Sequence, residues 1–180
     1  MIKAKNICLI LYFLFLTGCA SESMEFTTAK TALRSEKDFV RAEEWLKKAL
    51  KADTTDAMVA YVYATEILKP QKRYKKMASM LDLAEKRNPL QQLETPFMWE
   101  EKPVLTIKDG VQAYKEQEWT AVYNSAIDYY QNNDLDKAID LLEIALLFLP
   151  NDGSTYGTLG ALYIEKKDYD RAGESIGMGL

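Results

Sequence analysis

The chain has 180 residues, with 23 lysines and arginines against 27 aspartates and glutamates, a formal charge of −4 and no histidine. Acidic balance without clustered Lys and Arg does not suit nucleic acid or an anionic lipid surface, since both need concentrated positive charge. The missing histidine removes the side chain most often used for acid–base work near neutral pH.

Lys3 and Lys5 give a positive start, and residues 7–16 are an apolar stretch of ten. That is the length of a secretory h-region, whereas a spanning helix needs about 20 apolar residues. Leu16-Thr17-Gly18-Cys19 follows, and it resembles the lipobox of bacterial lipoproteins. The resemblance implies a signal peptide over residues 1–18, removed before Cys19, with Cys19 carrying diacylglycerol on sulfur and an acyl chain such as palmitate on the new amino terminus. One chain binds a membrane only marginally, and several make a durable anchor. In such lipoproteins an Asp directly after the cysteine resembles an inner-membrane retention signal. Ala20 stands there instead, so the expected location is the bacterial outer membrane, facing the periplasm. Loss of the leader removes two lysines and takes the formal charge from −4 to −6. Cys8 leaves with the leader and Cys19 is modified, so the mature chain is expected to rest on a helical core without disulfides.

A spacing of 34 residues recurs along the rest: Asp134-Leu135-Asp136-Lys137-Ala138 returns as Asp168-Tyr169-Asp170-Arg171-Ala172. This text resembles the tetratricopeptide repeat, in which two antiparallel helices meet through small residues and large ones fill the adjoining space. On that resemblance, residues 23–56 and 57–91 read as two degenerate units. Residues 119–152 and 153–180 form two clearer ones, with Ala126, Ala138, Gly160 and Ala172 at the close contacts. The fold class so implied is an all-α, right-handed superhelix of antiparallel helix pairs, a solenoid whose stability is a sum over units and interfaces. One irregular insertion, 92–118, interrupts it. Pro96 and Pro103 with Phe97, Trp99 and the extended-looking Val104-Leu105-Thr106-Ile107 make its first part non-helical. From Val111 the apolar spacing allows a long helix running into the third unit. Phe97 and Trp99 either cover an exposed end of the stack or belong to a binding loop.

Catalytic constellations are nearly absent: no Ser-x-x-Lys, no Gly-rich phosphate loop after a strand, and no cofactor motif. Asn132, Asp134, Asp136, Asp140 and Glu143 have the spacing of a calcium loop, but Lys137 stands where that loop needs glycine, and no metal site is assigned. What remains is a partner groove. In the family that the repeats resemble, the first helix of each unit lines a concave face. Carried over residue by residue, this implies Met58, Tyr61 and Thr65 in the second unit and Tyr123, Ile127 and Tyr130 in the third. Arg34 stands in the first, and Ser154, Gly157, Ala161 and Ile164 in the fourth. Tyrosines offer rigid apolar surface with a hydroxyl, as interface residues do. The expected function is that of a non-enzymatic, lipid-anchored adaptor or scaffold gathering a protein partner of the cell envelope, within an assembly or secretion complex. The alternative is an envelope enzyme or solute-binding protein using the insertion, with Trp99, Glu100 and Glu101 converging. At the end of the chain, the fourth unit leaves apolar surface without a capping helix. Either the array continues further, which is favoured, or that surface pairs with another protein or a second copy.

Overall fold

The computed structural model describes residues 22–179. The leader and Cys19 lie outside the described residues. Those described form eight α-helices and one two-stranded sheet. Helices α1 (Met24–Thr31) and α2 (Phe39–Ala52) make the first antiparallel pair, and α3 (Ala57–Val62) and α4 (Tyr74–Arg87) the second. Strands β1 (Gln92–Trp99) and β2 (Lys102–Thr106) follow. Then come α5 (Ile107–Gln131) with α6 (Leu135–Ala145), and α7 (Gly153–Glu165) with α8 (Tyr169–Met178). The first helices of the first two pairs widen at their ends, over Ala32–Glu36 and Tyr63–Leu68, where the Lys69 amide reaches back five residues to the Ala64 carbonyl.

The four turns inside the pairs share one design, which is the repeat expressed in backbone. Lys37, Lys72, Asn133 and Lys167 each adopt a left-handed conformation, with φ between 53° and 62°. A non-glycine residue there costs roughly 1–2 kcal/mol. The next residue offsets it: Asp38, Asp134 and Asp168 each accept a hydrogen bond from the backbone N–H three residues on, a cap worth about 1 kcal/mol. The amides of Arg73, Asp134 and Asp168 also donate to the carbonyl five residues back. Between the paired helices the small residues sit where the spacing requires. A Cβ on Gly160 would lie 2.7 Å from Ile176 Cγ1, so α7 and α8 approach as closely as glycine permits. Ala126 and Ala138 are fully buried together between α5 and α6.

The first part of the insertion is non-helical, as expected, but it is an ordered antiparallel β-hairpin and not an irregular loop. Phe97 pairs with Val104, Met98 with Pro103 and Trp99 with Lys102, while the register slips between Gln92 and Phe97, beside Pro96, which has no N–H for a ladder. Glu100 and Glu101 form the two-residue turn, both with positive φ, as the tightest hairpin loops demand. Aromatic and β-branched residues favour strands, but a lone hairpin is marginal in water. This one is backed by helices: Leu93 and Val104 are buried, and Phe97 and Trp99 pack on the same core.

The expected long helix is α5, 25 residues from a reciprocal capping box between Thr106 and Asp109. Its first half runs along the second helix pair. Gly110 and Tyr114 meet Tyr61, Gln117 and buried Glu118 take the Lys69 ammonium, and Lys115 reaches Asp82 at 2.6 Å. Its second half pairs with α6. The core is accordingly split. One cluster runs from Phe26 to Ala113 with Phe148, and another joins Ala126, Leu142, Leu159 and Ala172. Phe148, edge-on to Tyr74 at 6.0 Å, ties the end of α6 to α4. Within the first cluster Glu43 on α2 accepts from Tyr63 Oη at 2.7 Å, Arg73 Nη1 at 2.9 Å and Lys47 Nζ at 2.8 Å. Burial pushes its carboxyl up, but the hydrogen bonds from Lys47, Tyr63 and Arg73 outweigh that and hold it at about 2.

Candidate partner-binding groove

The first helices expected to line a groove meet different fates. On α3, Met58 and Tyr61 are buried, 4% and 7% exposed, and Thr65 is half-buried. The hairpin and the first half of α5 lie over them. Tyr114 meets the Tyr61 ring edge-on at 5.8 Å, Phe97 meets Tyr114 at 6.0 Å, and a cleft of 260 Å³ stays open between Arg34, Met58, Thr65, Leu93 and Phe97. Charge closes the seam. Lys30 and Arg34 on the first helix pair hold Glu94 of β1 at 2.8 and 3.1 Å. Burial opposes the charge on both Lys30 and Glu94, yet the ion pairs prevail, raising the Lys30 pKa and lowering that of Glu94. Burial likewise pushes the Tyr61 phenol well above its ordinary range. The expectation that Met58, Tyr61 and Thr65 line an open groove is therefore corrected. The chain's own hairpin stands across that face: both strands rest on α5, and Leu93 and Phe97 border the same cleft as Met58, Tyr61 and Thr65.

On the second half of α5 the face stays open. Trp119 stacks on Tyr123 with centroids 5.2 Å apart and planes at 26°. Trp119 Nε1 donates to Thr155 Oγ1 at 3.0 Å, and Thr155 is fixed in turn by Asp152, the cap of α7, at 2.7 Å. The hydroxyls of Tyr123 and Thr158 share a hydrogen bond of 2.9 Å. These contacts hold α5 and α7 side by side and set Tyr123 in a fixed pose. Ile127 is half-buried beyond it, and Tyr130 is 39% exposed. The nearby Glu165 carboxylate, by charge and by hydrogen bonding, raises the Tyr130 phenol pKa. Across the seam Ser154, Gly157, Ala161 and Ile164 of α7 are all exposed. The structure thus brings Tyr123, Ile127 and Tyr130 together with the α7 residues and separates them from Met58, Tyr61 and Thr65.

Glu100 and Glu101, the insertion's candidate pair, do not converge on a site, being the exposed hairpin turn. A cleft of 260 Å³ beside it is lined by Trp99, Glu100, Pro103, Gln112 and Glu116, with Trp99 Nε1 directed at Glu116 from 3.4 Å. Three carboxylates of the calcium-like spacing have structural partners: Asp134 caps α6 and pairs with Lys137 at 3.0 Å, Asp136 pairs with Lys166, and Glu143 accepts from Tyr163 Oη. Among the described residues no group of three acidic or thiol side chains is placed to hold a metal, and no helix is long and apolar enough to cross a membrane. Hairpin coverage of α3 had a faint sequence signal in the alternation of Leu93, Thr95 and Phe97. Nothing in that alternation says which helix the strand would meet.

No protein-family model and no curated protein matches the chain. Solved structures similar to it include a crystal structure of MamA, 20% identical over 87% of this chain and 74% of that one, with a TM-score of 0.35. MamA MSR-1 is 14% identical over 97% and 84%, with a TM-score of 0.33. MamA from its residue 41 to the end, from Desulfovibrio magneticus RS-1, is 16% identical over 88% and 95%, with a TM-score of 0.35. A likeness this distant bears on neither partner nor activity.

Proposed function

We propose that this chain is a protein-binding adaptor that holds a segment of its partner on the face shared by α5 and α7. The observation that carries the reading is the contrast between its two grooves. The α3 face is narrowed to a cleft by the chain's own hairpin, with Met58 and Tyr61 buried, while Tyr130, Ala161 and Ile164 remain exposed beside a rigidly held Tyr123. Apolar and aromatic groups at the centre of a surface, surrounded by hydroxyls, have the make-up of an interface. Pre-ordering by the Trp119, Thr155 and Thr158 contacts lowers the entropy that binding would cost. The leader adds the setting: anchored through Cys19 at the outer membrane, the α5 and α7 face would gather an envelope protein within an assembly or secretion complex.

Site-specific photo-crosslinking in intact cells tests this. A crosslinker placed at Ile127 and one at Ala161 should capture the same partner, and one at Asp140 on the outward side of α6 should not. Capture that is equal from all three positions, or that survives Tyr123→Ala with Ile164→Ser, would count against the assigned face.

A further inference from the structure

The hairpin shows how this fold matches charge across a groove. On the α1 and α3 side the protein presents two cations, Lys30 and Arg34, and the segment seated there brings one carboxylate, Glu94, to both. The α5 and α7 face has the opposite sign. Residues 119–131 and 153–165 contain no Lys or Arg, and Glu165 stands at the end of α7 beside Ile164, close enough to Tyr130 to act on its phenol. The Glu165 carboxylate is exposed, and among the described residues it has no Lys or Arg nitrogen within 4.0 Å. Lys166, the neighbour of Glu165, is turned to Asp136 of α6. Glu116 lies on the same stripe of α5 as Thr120, Tyr123 and Ile127, and the side chains that donate to it, Gln112 and Trp99, are both neutral.

Resting on the adaptor reading, we infer that the partner segment on this face is cationic: a stretch of chain with apolar side chains against Tyr123, Ile127 and Ile164, and Lys or Arg side chains meeting Glu116 and Glu165. Tyr130 at 39% and Ile164 at 49% exposure make an open surface, which suits a chain segment rather than an enclosed small molecule. Lys and Arg are the residues that satisfy both halves, since their hydrocarbon stems cover apolar surface while the charged ends reach carboxylates or lie over tyrosine rings. Exposed charge of this kind sets partner choice and encounter rate more than raw affinity.

The test uses the purified full chain and three fluorescein-labelled peptides of about eight residues, some 25 Å when extended and long enough to cross two helices about 10 Å apart. Each alternates Leu and Tyr with a single second residue type, Lys, Glu or Thr. Fluorescence anisotropy at low salt should show the Lys peptide binding about tenfold tighter than the Thr peptide, the Glu peptide weaker still, and the gap closing as salt shortens the Debye length below about 10 Å. Glu116→Gln with Glu165→Gln should abolish the preference. Glu44→Gln with Asp140→Asn, an equal change of charge on exposed positions of the second helices, should keep it. If the peptides bind but the first pair of substitutions leaves the preference intact, or the second pair removes it equally, the charge inference falls and the adaptor face stands. If no peptide binds, or Tyr123→Ala with Ile127→Ser weakens none of them while circular dichroism shows a folded chain, the face itself is wrongly assigned.

Discussion

Gly110→Ala asks whether α5 truly closes over α3. Two effects oppose each other. Alanine in a helix interior is more favourable than glycine by about 1 kcal/mol. Against that, a Cβ at position 110 would stand 2.6 Å from Tyr61 Oη and 2.9 Å from both Cε2 and Cζ, far inside the optimum of about 3.5–4.0 Å between carbon atoms. The ring has little room to yield, being 7% exposed and edge-on to Tyr114. Overpacking of this sort costs about 1–3 kcal/mol. The net expectation is destabilisation by roughly 1 kcal/mol, a Tm lower by about 2–4 °C for a chain of this size. In a Tyr61→Ala background the obstructing atoms are gone, and the same substitution should stabilise by about 1 kcal/mol, a coupling of roughly 2 kcal/mol across the double-mutant cycle. Gly157→Ala and Gly173→Ala supply the reference, because nothing lies within 4 Å of a Cβ at either position. Urea unfolding followed by circular dichroism measures all of these. Should Gly110→Ala stabilise as much as Gly157→Ala, α5 does not rest on Tyr61, and the α3 face is not covered as described.

Three further expectations follow from other parts of the chain. Glu43 has a folded pKa of about 2 against an ordinary value of 4.5, so its contribution is complete above pH 4.5 and is lost as the pH falls toward 2; after allowance for solvent screening this is about 1–2 kcal/mol, and Glu43→Gln should flatten the acid limb of a stability-versus-pH curve. Ala138→Trp, at a fully buried contact between α5 and α6, should cost at least the upper end of about 1–3 kcal/mol, whereas exposed Lys137→Trp should stay within about 0.5 kcal/mol of the parent; coincident thermal melts would show the repeat register to be misassigned. Cys19→Ser should shift the protein from membrane to soluble envelope fraction or leave an uncleaved precursor, and equal incorporation of a palmitate analogue in parent and variant would dispose of the lipid anchor.

Much of the architecture was legible in the sequence because it is local. The Asp residues at 38, 134 and 168 mark helix starts, and the recurring 34-residue text marks the close contacts at Ala138 and Gly160. Capping and small-residue packing act over a few residues or between neighbouring helices, so their pattern survives in one dimension. The long helix into the third pair was equally readable from the apolar spacing after Val111. That Tyr123, Ile127 and Tyr130 share one face of one helix was legible for the same reason.

Tertiary structure alone decided the fate of Met58, Tyr61 and Thr65. Helical periodicity says that these residues share a face, not whether solvent, a partner or another part of the chain will lie on it. That depends on contacts across long sequence separations: Glu94 with Lys30 and Arg34, Phe97 with Tyr114, Gly110 with Tyr61. Tyrosine conceals the outcome especially well, because an amphipathic ring is equally at home in an open interface and under a packed strand. A hairpin that is marginal by itself became an ordered element by finding that apolar backing, and in doing so it closed one groove and left the other open.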